Sequence, residues 1–149
     1  MPFTKAITRK PGASFAGGIT TANLGQPQLD LTLEQHAAYC RALQHCGLQV
    51  TMLEADSRFP DSTFVEDTAV LTPQLAIITR PGADSRKGET QAIRTALELH
   101  YTHIRSIEAP GTVDGGDICQ AGDHFFIGVS ARTNPQGAHQ LAEHLQAAC

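Results

Sequence analysis

Residues 65–86, VEDTAVLTPQLAIITRPGADSR, and residues 114–134, DGGDICQAGDHFFIGVSARTN, align with gaps as two versions of one pattern. In each, an acidic corner (Glu66-Asp67 or Gly116-Asp117) opens onto an apolar run, a short turn and a second apolar run, and an arginine follows (Arg86 or Arg132). Runs rich in Val, Ile and Thr bounded by turn residues read as strands, so each stretch predicts a β-hairpin. The turns are Pro73-Gln74 and Gly122-Asp123. The corners lie about 50 residues apart, which marks an internal repeat.

Working outward, the stretch from about Thr32 to Cys46 carries apolar residues at helical spacing (Leu33, Ala37, Tyr39, Leu43, Cys46) and ends at Gly47, a residue suited to closing a helix. The strand LQVTML follows at once. A second helix is predicted from about Lys87 to His100, followed by the strand HIRSIEA and a turn through Pro110-Gly111. A third helix opens at Asn134-Pro135, an N-cap residue followed by a proline that suits the first helical position. The strand FTKAITR begins the chain. Helix, strand, strand, strand is a unit that cannot bury its own faces, so such repeats stack to share a core.

The 149 residues suffice for one globular domain, with 41% hydrophobic and 17% charged residues in the ordinary soluble range. The formal charge of -4 is scattered rather than blocked, which argues against nucleic acid or a membrane surface as the main partner and favours a small polar ligand. No run approaches the ~18 apolar residues of a membrane span, and MPFTKAITRKPG lacks a signal-peptide core, so the default expectation is a cytoplasmic protein. Cys40, Cys46, Cys119 and Cys149 show neither a CxxC pair nor a zinc-type spacing and are expected to be free thiols.

Polar residues gather where strands meet loops: Asp61, Glu66 and Asp67 by the first hairpin, Asp114 and Asp117 by the second, Arg86 and Arg132 after each. Like charges a few ångströms apart destabilise one another unless a cation compensates. That cation could be a metal, a protein arginine or a substrate. No calcium-loop spacing is present, and a guanidinium fits carboxylates better, through bidentate charge-assisted hydrogen bonds, with the two arginines left for a carboxylate at the ligand's other end. Structural readings stand beside these. Asp84 and Ser85 are N-cap candidates that would make Arg86 a surface residue of a first turn, Asn134-Pro135 accounts for the RTN segment, Asp114-Gly115-Gly116 fits a turn or bulge, and Asp61 after Pro60 fits a turn. In SFAGGITTANLG, Gly17 and Gly18 beside Ile19 make either an ordinary loop or a lid over a pocket. Cys40 and Cys46 in a helix and Cys119 in a strand are positions where cysteine is most often inert, Cys149 is the last residue, and none of the seven histidines pairs obviously with a cysteine.

Four segments, FPDSTFVEDTAVLT, AIITRPGADSRKGET, IEAPGTVDGGDI and DHFFIGVSARTN, together resemble the dimethylarginine dimethylaminohydrolases of the amidinotransferase superfamily, in the same order and over nearly the whole chain. The resemblance implies an α/β propeller of ββαβ-type modules, of which about two and a half of five would be present as the N-terminal portion of a single domain, residues 1–149. It implies hydrolysis of N-methylated arginine to citrulline and a methylated amine through a covalent cysteine intermediate, with no cofactor and no metal. Asp61 and Glu66 resemble contacts to the substrate's α-amino or guanidinium end, Asp67 the acid that grips the guanidinium, and Arg86 with Arg132 the pair that binds the α-carboxylate. Ile19 falls where the family has an apolar lid residue, often leucine. Asp114 stands where relatives carry a glutamate that orients the catalytic histidine. The family's histidine and cysteine motifs do not occur before Cys149, so the chain is expected to be a substrate-binding half, inactive alone, that associates with a second copy or a missing C-terminal half. An arginine deiminase or other guanidine hydrolase, and a non-catalytic module that binds arginine derivatives, are the alternatives.

Overall fold

The computed structural model describes residues 3–147, so Cys149 lies outside the described residues. The chain is α/β and divides between Val65 and Glu66 into two compact units.

In the first unit, β1 (Lys5–Arg9) pairs in parallel with β2 (Gln49–Leu53), from Lys5 opposite Gln49 to Arg9 opposite Leu53. Parallel neighbours need a long crossover, supplied here by α1 (Leu29–His45). Gly47, at φ +85°, turns the chain out of the helix. The helix starts three residues earlier than its apolar spacing predicts and buries no residue fully. Its half-buried stripe is Leu29, Leu33, His36, Cys40 and Leu43. Ala37, Tyr39 and Cys46, expected on the apolar side, are exposed. Cys40 meets the Thr8 hydroxyl at 3.6 Å and His36 Nδ1 at 3.8 Å.

In the second unit, β3 (Ala69–Leu71) and β4 (Ala76–Ile78) form the first antiparallel hairpin, and β5 (Ile104–Ser106) adds to β4 in parallel after α2 (Thr90–Leu97). The second hairpin is β6 (Ile118–Ala121) with β7 (His124–Ile127), turned by Gly122 at φ +61°, and α3 (Pro135–Gln146) follows. A 3-10 turn leads into each hairpin, Val65–Thr68 before β3 and Gly115–Asp117 before β6. Val70, Leu75, Ile77, Ile107, Val113, Leu141 and Leu145 form the core of this unit, and Ile118, Phe125 and Ile127 pack against it. No helix among the described residues is long and apolar enough to cross a membrane.

One expectation fails at the second helix. A helix from Lys87 to His100, capped by Asp84 or Ser85, is replaced by a 3-10 segment over Asp84–Glu89 and a shorter α2. Ala83 occupies the cap without a side-chain hydrogen bond, and Asp84 is paired with Lys87 instead. At the far end the Leu97 carbonyl accepts from both His100 and Tyr101 N–H, which closes the last turn early. The third helix begins as predicted: Asn134 Oδ1 accepts from Gly137 N–H at 2.8 Å, and Pro135 takes the first position.

Candidate active site

The acidic corners owe their shape to tight backbone contact. A Cβ at Gly115 would stand 2.0 Å from the Glu66 carbonyl oxygen and 3.0 Å from Asp67 Cα, so only glycine lets the two 3-10 turns approach this closely. That approach brings together side chains far apart in sequence. Asp67 accepts from Arg86 Nη1 at 2.7 Å, while Asp114 lies 3.9 Å from the same nitrogen and 3.5 Å from Arg132 Nη1. Arg132 Nη2 donates to Asp117 at 3.0 Å. The second unit therefore gathers Asp67, Arg86, Asp114, Asp117 and Arg132 into one network.

The structure overturns one alternative for Arg86. It is 7% exposed, a buried cation rather than a surface residue of a first turn. Its guanidinium is held on one edge by Glu89, with Nε at 3.1 and 3.2 Å from the two carboxylate oxygens and Nη2 at 2.8 Å. The sequence reading did not single out Glu89. Its only signal was the spacing of three from Arg86, which on the expected α-helix would have been an ordinary surface pair. Arg132, by contrast, keeps about half of its side chain exposed, at 52%.

Asp114 is both a turn residue and a member of the cluster. Its Oδ1 accepts from Gly116 N–H at 3.1 Å, capping the 3-10 turn, and its own N–H donates to Thr133 Oγ1 at 3.0 Å. Burial raises its carboxyl above the ordinary range, the Asp67 charge and a hydrogen bond with Asp67 add to this, and Arg132 offsets only part. Asp117 goes the other way. Burial pushes it up, but hydrogen bonds from Ser130, Thr133 and Arg132 outweigh burial and hold it below its usual value. Ser130 and Thr133, also missed from sequence, thus form a bracket that fixes Asp117 and, through Thr133, the Asp114 backbone. Glu66 keeps an exposed side chain, yet the protein surrounding its carboxyl raises it, a backbone hydrogen bond opposes this, and the Asp67 charge adds to the rise.

In this network four carboxylates (Asp67, Glu89, Asp114, Asp117) face two guanidiniums. Among the described residues no group of three or more His, Cys, Asp or Glu is placed to hold a metal ion. The surplus negative charge suits an organic cation.

The first unit holds the other two candidates. Asp61 is 7% exposed, and its carboxylate accepts from Ile19 N–H at 3.0 and 3.2 Å. Gly18 permits this, since a Cβ there would stand 2.6 Å from Asp61 Oδ1. The segment folds over a cleft of about 260 Å³ lined by Phe15, Ile19, Leu24, Pro27 and Asp61 among others. Ile19 itself is 62% exposed.

A family profile described as "N,N dimethylarginine dimethylhydrolase, eukaryotic" matches residues 23–147. The chain belongs to this family. The dimethylarginine dimethylaminohydrolase of Pseudomonas aeruginosa is 51% identical over 145 residues, covering 97% of this chain and 57% of that enzyme. Its namesake from Streptomyces coelicolor is 38% identical over 143 residues, covering 95% of this chain and 55% of that enzyme. The chain thus spans somewhat more than half the length of these two relatives. A mutant of the Pseudomonas enzyme complexed with citrulline superposes with a TM-score of 0.97 at 50% identity, over 99% of this chain and 58% of the other. The N-terminal domain of a cyanobacterial arginine dihydrolase shares the fold alone, with a TM-score of 0.82 at 14% identity over 94% of this chain and 54% of the other.

Proposed function

We propose that residues 1–149 supply the substrate-binding half of a hydrolase that converts N-methylated arginine to citrulline and methylamine or dimethylamine. The observation that carries this reading is the excess of buried carboxylate over guanidinium around Arg86, where Asp67, Glu89 and Asp114 outnumber the one arginine they face and leave the site short of positive charge. Asp67 takes the substrate guanidinium through charge-assisted hydrogen bonds. Arg132, the half-exposed arginine, and Arg86 take the α-carboxylate. Asp61 and Glu66 contact the α-amino or guanidinium end, and Ile19 serves as the lid residue. Asp114, rigidly capped, orients a histidine supplied from outside these residues.

The nucleophile in this reading also comes from elsewhere. Cys40 and Cys46 belong to α1 and its cap, the His36 imidazole 3.8 Å from the Cys40 thiol is pushed towards its neutral form by burial, and Cys119 is exposed in β6 opposite Phe126. In the complete site a thiolate forms a bond to the guanidinium carbon. The C–N bond to the methylated amine then breaks as the histidine protonates that amine. Water, deprotonated by the same histidine, attacks the thiouronium carbon and releases citrulline and the thiolate. The order β3–β4–α2–β5 is one ββαβ module, and we read the chain as a partial α/β propeller within a single domain. It would complete itself with a further segment or a second copy.

Titration calorimetry of the 149-residue chain with N,N-dimethyl-L-arginine tests the reading. The expected result is binding that is lost in Asp67→Ala and Arg86→Ala, with no citrulline released. A folded chain that binds nothing, or that turns the ligand over, refutes it.

A further inference from the structure

Asp84–Glu89 winds as a 3-10 helix for six residues. Runs beyond three or four residues are uncommon in this geometry, because its hydrogen bonds are poorer and side chains three apart eclipse one another. Here that eclipse sets Glu89 over Arg86. In an α-helix the same two residues would still be neighbours, but offset by about 60° around the axis. Glu89 is 3% exposed and uses both carboxylate oxygens on the Nε–Nη2 edge of the guanidinium, leaving Nη1 turned to Asp67 at 2.7 Å. A buried ion pair is weak evidence of stability, since apolar residues of similar volume often serve as well, and its best-attested use is to fix one arrangement.

We propose that Glu89 is a positioning residue for ligand recognition, the side chain that fixes the plane and direction of the Arg86 guanidinium so that it can receive the carboxylate of an amino-acid ligand. This rests on the function proposed above. A free arginine side chain samples many rotamers, and a fork held along one edge loses fewer of them when it binds a carboxylate along another. Glu89 therefore acts on the carboxylate end of the ligand and not on its guanidinium.

The test uses Glu89→Gln and Glu89→Asp in the 149-residue chain, with two readouts. The first is the Arg86 Nε–H resonance in a proton–nitrogen NMR spectrum, which needs no ligand: slow solvent exchange is expected in the unmodified chain and fast exchange in folded Glu89→Gln. The second is affinity for N,N-dimethyl-L-arginine against agmatine, a guanidinium without a carboxylate. Glu89→Gln is expected to weaken the amino acid roughly tenfold, the equivalent of one charge-assisted hydrogen bond, and to leave agmatine within about twofold. Glu89→Asp, which keeps the charge but shortens the reach, should fall between, and it carries the same test with a smaller effect if Glu89→Gln does not fold. If the unmodified chain binds neither ligand, the proposed function fails while the resonance still decides the role of Glu89. Rapid exchange in the unmodified chain, unchanged exchange in the folded variants, or equal weakening of both ligands overturns the proposal.

Discussion

Replacing Asp114 with asparagine should make the second unit more stable near neutral pH and leave it unchanged in acid. The side chain is almost fully enclosed, at 3% exposed, so its charge cannot be relieved by water. Burial and the neighbouring Asp67 raise its pKa in the folded chain above the value it has when unfolded. A carboxyl raised in this way contributes stability that is fully present below the unfolded carboxylate range and is lost as pH climbs through the folded value. Asparagine does not titrate. Its Oδ1 can still accept from Gly116 N–H, and its amide can donate to Asp67 as the protonated acid does. Above the folded value, the gain is about 1.4 kcal/mol for each unit by which the carboxyl is raised. In a domain of this size that corresponds to very roughly 4 °C in Tm per kcal/mol.

Thermal or urea unfolding of both proteins from about pH 3 to pH 8, with carboxylate reference values near 4, reads the difference directly. The difference should be close to zero at the acid end and grow as pH rises. A difference that is constant across the range, or that favours the unmodified chain more as pH rises, would mean that Arg86 and Arg132 stabilise the Asp114 charge by more than Asp67 and burial oppose it. The electrostatic account of the site would then fail.

Three further outcomes follow from the same geometry. Gly115→Ala should cost about 2 kcal/mol or more in an unfolding titration, because its Cβ has no room beside the Glu66 carbonyl and the backbone must move. Thr133→Val should cost about 2 kcal/mol, since the fully buried hydroxyl donates to Asp117 and accepts from Asp114 N–H, and valine leaves that N–H unsatisfied. If the site takes a guanidinium, binding must drive the proton from Asp114. Affinity should therefore rise with pH up to the raised carboxyl value and level off above it, with proton release seen as calorimetric enthalpies that differ between buffers.

Much of this chain is legible without coordinates, because its local signals agree with its fold. Asn134-Pro135 opens α3 by side-chain capping and a preset φ, both properties of the residues themselves. Both hairpins are centred where the turn residues put them, although their strands are shorter than the apolar runs. The second helix is not legible in the same way. Nothing in PGADSRKGET distinguishes an α-helical first turn from a 3-10 run. The choice is made by Asp67, nineteen residues upstream, which holds Arg86 Nη1 while Glu89 holds the other edge. Tertiary charge pairing overrides local propensity there.

The same limit applies to the site. Spacing places Asp67, Asp114, Arg86 and Arg132 at equivalent corners, and so identifies the participants, but it assigns each arginine to a ligand carboxylate as if the arginines were unspent. In the structure Arg86 is already held by two protein carboxylates and Arg132 by one, with Asp114 between them. In the reading proposed above, a ligand carboxylate competes with Asp67 for Arg86 Nη1 and with Asp117 for Arg132 while Glu89 keeps its edge of Arg86, and it can do so only if the ligand also brings positive charge to the acids it displaces. An amino acid with a cationic side chain meets that requirement at both ends. The preference we propose for such a ligand follows from the prior commitment of both arginines to protein acids, which no sequence spacing records.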